Sequence, residues 1–240
     1  GTVATETGDL RYLSGNIETD NTWAFGTFDG AHLYKFECTP SLGRLDGFFY
    51  SGNHYSSTFR AIQLDSLVTL TSQSAPVLPG VAFEFSHWSV EGDSVRWTLD
   101  DLTHEVMVID IMGTWCPNCL DEITALKTLQ KEFPDVGFLS VAFERRADID
   151  PDAAWVRIQQ YQEALGIPWN IVLGGPASKA MATTAFPFLE KVASFPTTLF
   201  INRKGQLLTH SGFNGPATGE AYDLELSVFR NHINNLKTSN

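Results

Sequence analysis

Cysteine is scarce, with three in 240 residues. That excludes the dense disulfide framework by which small secreted scaffolds are held together. Long apolar runs are missing as well, and none approaches the ~18 residues that a bilayer-spanning helix needs. Positive charge is in short supply, with 16 Lys and Arg against 28 Asp and Glu, a formal net charge of −12. Such a balance argues against nucleic acid or an anionic membrane as partner. No stretch has the build of a signal peptide. Gly1 followed by a polar stretch reads as a processed or truncated start, so an export signal already removed remains open. What the chain does have is apolar residue, 43% of the total, ample for a packed core. Its length suits one large domain or two small ones.

Two of the three cysteines stand together in Trp115-Cys116-Pro117-Asn118-Cys119. Before them runs Met107, Val108, Ile109, Ile111 and Met112, an apolar stretch of strand length broken only by Asp110. After them Leu120, Ile123, Leu126, Leu129 and Phe133 recur at spacings of three and four, which buries one helix face. Pro117 suits the first helical turn, where its missing N–H would have been unpaired anyway. Pro134 ends that helix. The Cys116 sulfur therefore sits at a helix N-terminus, where unpaired N–H groups and the helix dipole favour a thiolate. Cys119 lies one turn on, close enough to close a disulfide with Cys116 or to resolve a mixed one. The competing reading is half of a zinc site. It needs two more ligands, and only Cys38 and six singly scattered histidines remain to supply them. No metal and no bound cofactor is expected beyond the redox-active disulfide itself.

Asp110 interrupts a buried strand, and burial raises a carboxyl pKa into the range of a usable base near neutral pH. Glu122, one helical turn past Cys119, can do the same task from the other side. The two would titrate as a coupled pair. A plainer reading makes Glu122 a solvated first-turn acid favoured by the helix dipole.

Taken together these motifs resemble the thioredoxin fold, and more narrowly the TlpA/ResA-like thiol-disulfide oxidoreductases of bacterial envelopes. Trp115 to Cys119 matches the redox motif. Phe195-Pro196-Thr197-Thr198, followed by Leu199-Phe200-Ile201-Asn202, matches the cis-proline loop and its strand, and Lys204-Gly205 the next turn. Asp110 falls where thioredoxins keep a buried carboxylate, and Glu122 where the ResA-like branch keeps an acid. Having both departs from that branch, which often lacks the thioredoxin Asp. The resemblance covers roughly residues 80 to 240. It implies that Cys116 attacks a substrate disulfide and Cys119 resolves it. Trp115, Pro117, Phe195, Pro196 and Thr197 would then receive the substrate chain, with the Trp115 ring shielding the site edge. It further implies client protein thiols or disulfides as partners, an upstream dithiol electron donor, and the periplasm or cell envelope as location, with a tether outside this chain. Reduction of clients is the direction it favours. Two rivals stay open, a peroxiredoxin-like peroxide reductase and a redox-inactive scaffold on the same fold. Thr114 is present as in peroxiredoxins, but their upstream Pro is not.

The expected fold is α/β, a thioredoxin-like domain with a mixed sheet flanked by helices, preceded by a small antiparallel β domain. Residues 1–8 read as disordered. Residues 9–66 read as a β module, with about five strands from Leu10 to Leu64 curled into a small barrel or sandwich. Its turns are expected at Gly15-Asn16, Asp29-Gly30, Asp46-Gly47 and Gly52-Asn53. Asp29, His32, Asp46 and His54 can be assembled into a site on paper, but turn chemistry accounts for them. Cys38 reads as a small buried hydrophobe. Residues 67–80 read as a linker rich in Ser, Thr, Pro and Gly. Residues 81–240 form the thioredoxin-like part, with an insertion over 144–192. That insertion holds a helix closed by Gly166 and Pro168, a strand at 169–173, a short helix at 177–184 and an apolar loop at 186–189, and the resemblance implies that it lies near the active site. A last helix runs from Tyr222 to Leu236.

Overall fold

The computed structural model describes residues 2–5, 8–10, 12–28, 32–65, 74–214 and 219–238. The chain divides into two compact units, Gly1–Thr71 and Ser72–Asn240. The division falls within the stretch expected as a linker, whose residues 67–73 lie outside those described.

In the first unit β1 (Ala4–Thr5) and β2 (Gly8–Asp9) pair antiparallel, where composition alone reads as disorder. Then come β3 (Ser14–Ile17), β4 (Trp23–Phe28), β5 (Leu33–Ser41), β6 (Arg44–Ser51) and β7 (Tyr55–Ile62). They form an antiparallel sheet in sequence order, and among the described residues β3 and β7 each pair on one side only. It is an open meander and not a closed barrel. Two of the expected turns are strand instead: Gly15-Asn16 lies in β3 and Asp46-Gly47 in β6. The glycine at 47 marks a close approach. A Cβ there would stand 2.0 Å from the Glu37 carbonyl oxygen across the ladder. The turn between β5 and β6 falls on Leu42-Gly43, with Gly43 at φ +67. Gly52-Asn53 does turn, with Gly52 at φ +58, and Asp29-Gly30 lies outside the described residues. One face carries a row of rings, Phe25 on Phe36 at 5.1 Å and Phe36 on Phe49 at 4.9 Å. The other carries ion pairs. Asp46 sits between Arg44 at 2.5 Å and Arg60 at 2.7 Å, which disposes of it as a site residue. Cys38 is buried, as expected of a small hydrophobe, and burial pushes its thiol pKa up.

The second unit opens with β8 (Glu84–Trp88) and β9 (Ser94–Thr98), a hairpin. β10 (Val106–Met112) leads into α1 (Pro117–Glu132), and β11 (Gly137–Glu144) into α2 (Pro151–Leu165). β12 (Asn170–Pro176), α3 (Lys179–Ala185), β13 (Thr197–Asn202), β14 (Leu207–Ser211) and α4 (Glu220–Thr238) complete it. The sheet order is β14-β13-β10-β11-β12-β8-β9. β10, β11 and β12 run parallel, and the other neighbours antiparallel. This mixed sheet with helices on both faces is the thioredoxin-like architecture.

Local chemistry explains the helix ends. Asp150 caps α2 by accepting from Ala153 N at 3.0 Å, Pro151 opens it, and Gly166 closes it in the left-handed region at φ +57. Its buried face is Ala154 and Ile158, while Val156 is exposed. One apolar core lies between the sheet and α1, α2 and α4, and holds Val108, Met112, Phe200 and Phe229. A second core lies on the other face, with Ile109, Ile111, Leu199 and Phe85. The apolar loop Phe186–Leu189 belongs to that second core, stacked on Phe85 and Phe83. It therefore packs on a different core from the one that holds the cysteines.

The second half of the expected linker is docked. Ala75 is buried and its carbonyl accepts from Thr209 Oγ1 at 2.8 Å. Leu78 N donates to the Phe188 carbonyl at 2.8 Å, and Glu190 N to that of Pro76 at 2.9 Å. Its Pro and Ser content signals irregular backbone. It says nothing about whether that backbone is bound.

Candidate active site

β10 ends at Met112, and the chain crosses Gly113 to reach α1. Cys116 is the N-cap of that helix, in extended backbone, and its sulfur accepts from Cys119 N at 3.3 Å. Pro117 opens the helix, as expected. Cys116 and Cys119 are joined by a disulfide, with Cα atoms 5.3 Å apart. Cys119 is fully buried, whereas Cys116 keeps 6% of its surface. A visiting sulfur therefore meets Cys116 first.

Facing the pair is the loop before β13. The Phe195–Pro196 peptide bond is cis. The Phe195 carbonyl oxygen lies 3.5 Å from Cys116 Sγ. The Phe195 ring stands edge-on to Trp115 at 5.6 Å. Trp115 and Phe195 are half-buried, whereas Pro196 and Thr197 are buried. Thr197 was expected to receive substrate, but its side chain is turned inward. Its Oγ1 donates to the Ser194 carbonyl at 2.9 Å and lies 3.4 Å from Ser211 Oγ. It builds the loop, so any contact it makes to a visitor is through its backbone.

Beneath the disulfide both carboxyls are fully buried, Asp110 on β10 and Glu122 on α1. A solvated first-turn role for Glu122 is thereby ruled out. Asp110 Oδ2 accepts from Ser140 Oγ at 3.3 Å, and Ser140 Oγ accepts in turn from Trp169 Nε1 at 3.0 Å. Glu122 Oε1 accepts from Thr198 Oγ1. The remaining oxygens, Asp110 Oδ1 and Glu122 Oε2, are buried with no hydrogen-bond partner among the described residues. Burial pushes the Asp110 pKa up to about 7, against the pull of Glu122 and Ser140. Burial also pushes Glu122 well above the ordinary range, with the Asp110 charge adding to it. Two carboxyls in one dry space each hold a proton that water would have taken from them.

The turn itself is gripped from β11. Thr114 donates twice to the buried Glu144 carboxylate, N to Oε1 and Oγ1 to Oε2, both at 2.8 Å. Trp115 Nε1 donates to the Phe143 carbonyl at 2.8 Å, and the Arg145 guanidinium lies over its ring at 5.1 Å. Gly113 has no room for a side chain, since a Cβ would stand 2.5 Å from Trp115 Nε1 and 2.9 Å from the Phe143 carbonyl. Arg157 Nε faces Glu144 Oε2 at 3.6 Å. Burial raises the Glu144 pKa, while Thr114 and Arg157 hold it down. Sequence reasoning missed Glu144, Ser140 and Thr198. The one available signal was an acid closing the apolar run 138–143. It gave no hint of Thr114, 30 residues away.

No protein-family profile matches the chain, and no curated protein matches it in sequence. The chain is similar in fold to several solved structures. A thioredoxin-family thiol:disulfide interchange protein from Chlorobium tepidum aligns at 18% identity and TM-score 0.43, over 68% of this chain and 97% of its own. StoA from Bacillus subtilis aligns at 19% identity and TM-score 0.39, over 62% of this chain and 99% of its own. A secreted disulfide oxidoreductase from Mycobacterium tuberculosis aligns at 16% identity and TM-score 0.41, over 60% of this chain and 95% of its own.

Proposed function

We propose that this chain is a thiol-disulfide oxidoreductase that reduces disulfides of client proteins. The observation that carries the reading is a disulfide at a helix N-terminus, reachable at Cys116 only, on the helix that also carries the buried Glu122. In the dithiol form the Cys116 thiolate attacks a client disulfide. A mixed disulfide forms and one client sulfur leaves as thiolate. Cys119 then loses its proton to the Asp110–Glu122 pair and attacks the Cys116 sulfur. The second client sulfur leaves, the client has gained two electrons, and the protein holds the disulfide seen here. An external dithiol returns it to the start. The Phe195–Pro196 edge, with Trp115 beside it, receives the client chain by backbone pairing, a form of strand addition.

Thr114 weighs against the peroxidase alternative, because its hydroxyl is already spent on Glu144. Client reduction and an envelope location rest on the sequence resemblance. The deciding experiment is insulin-disulfide reduction with a dithiol donor. Turnover by the wild type and its loss in Cys116→Ser are expected, and unchanged turnover in that variant would remove the assignment. Peroxide consumption faster than insulin reduction would favour the peroxidase.

A further inference from the structure

Asp110 belongs to a row that crosses the sheet. Its cross-strand partners are Ser140 on β11 and Thr198 on β13, and the partner of Thr198 is His210 on β14. Cross-strand partners share a face, and this face lies under α1 and α4. All four residues are buried. Their neighbours two residues away on the same face are apolar: Val108 and Met112 beside Asp110, Phe200 beside Thr198, Leu208 beside His210. Two acids descend onto this row from the helices, Glu122 from α1 and Glu225 from α4, both buried. His210 Nε2 and Glu225 Oε2 stand 3.0 Å apart. Asn214 N donates to Glu225 Oε1 at 3.2 Å, and His210 lies edge-on to Phe229 at 4.8 Å. So the row begins at one pair of buried titratable side chains, Asp110 with Glu122, and ends at another, His210 with Glu225. The Thr198 hydroxyl, bound to Glu122, stands between them.

We propose that His210 and Glu225 are positioning residues of the redox site, a second buried pair whose charge balance sets where the Asp110–Glu122 pair ionises. This rests on the oxidoreductase reading for its consequence, the pH at which Cys119 is deprotonated, but not for the coupling itself. The groups that act on Glu122 or respond to it are Asp110 from β10, Thr198 from β13, Glu225 from α4 and Tyr161 from α2. Of these Asp110 and Glu225 hold the Glu122 proton on by charge. The Asp110 and Glu122 charges in turn, after burial itself, hold the Tyr161 proton on. His232 is kept neutral first by burial and then by the His210 charge. A negative Glu225 opposes a second negative charge at Glu122, and a positive His210 offsets it. Charges in a dry core act across such separations with little screening.

The two partners should therefore shift the site in opposite directions. The readout is the carboxyl 13C titration of Asp110 and Glu122 in the oxidised full chain, which needs no turnover. Glu225→Gln should lower their midpoint by about half a pH unit or more, and His210→Gln should raise it by a similar amount. The double variant should return close to wild type. Shifts of the same sign in both, or unchanged midpoints in folded variants that merely melt earlier, would overturn the inference. Should a variant fail to fold, the wild type serves alone. The His210 ring 15N signal should show a step at the Asp110–Glu122 midpoint, and its absence would overturn the inference equally. Failure of the wild type to reduce insulin would remove the function and leave this titration readable.

Discussion

Asp110 and Glu122 are the residues on which most turns. A carboxyl whose folded pKa is raised binds its proton more tightly in the native state than in the unfolded one. Native stability is then present in full below the unfolded value, near 3.8 for Asp110, and declines as pH rises towards about 7. Asp110→Asn removes that penalty. It should stabilise the protein by a few kcal/mol, on the order of 1.4 kcal/mol per unit of pKa difference, at pH 8 but not at pH 4. Urea unfolding at the two pH values checks this, and equal gains at both would refute it. The same variant should slow the resolving step, as should Glu122→Gln, each by about tenfold to a hundredfold. Mixed disulfide should then accumulate in single-turnover assays. The identity of these acids could be read from the sequence, because one breaks an apolar strand and the other lies a turn beyond Cys119. Their hold on protons could not, since it depends on how closely β10 and α1 approach.

At the scale of elements, strand β11 does more than fill the sheet. Its last residues hold the turn that presents Cys116, through Phe143, Glu144 and Arg145. Removing the Glu144 carboxylate leaves a part-buried N–H and hydroxyl of Thr114 without acceptors. Glu144→Ala should cost about 2–3 kcal/mol in urea unfolding, and Glu144→Gln about half of that, because the amide oxygen can still accept one bond. Equal stability of both variants and wild type would show the grip to be idle. The helix ends of this unit that could be read in advance are local chemistry: Pro117 and Pro134 bound α1, and Gly166 closes α2. The hairpin turns of the first unit could not. Glycine there serves tight ladder contacts as well as turns, and the sequence does not distinguish Gly47 from Gly52.

The whole molecule has two compact units and three cysteines, which allows its unfolding to be followed in parts. Cys38 is buried in the first unit and its thiol pKa is raised, so it resists alkylation while that unit is folded. In the oxidised protein iodoacetamide should label nothing under native conditions and one thiol in urea. In the reduced protein a single thiol, Cys116, should react quickly at neutral pH. If Cys38 labels at a lower urea concentration than that at which the near-ultraviolet signal of the second unit is lost, the units unfold separately and a single two-state free energy does not apply. Rapid native labelling of Cys38 would contradict its burial. The indole of Trp115 has one more consequence. It is held beside the sulfurs by the Phe143 carbonyl and capped by a guanidinium. Excited indoles lose their emission to an adjacent S–S bond, so the protein carries its own lamp. Its fluorescence should brighten as electrons arrive, and replacing Trp115 with Phe should extinguish that response.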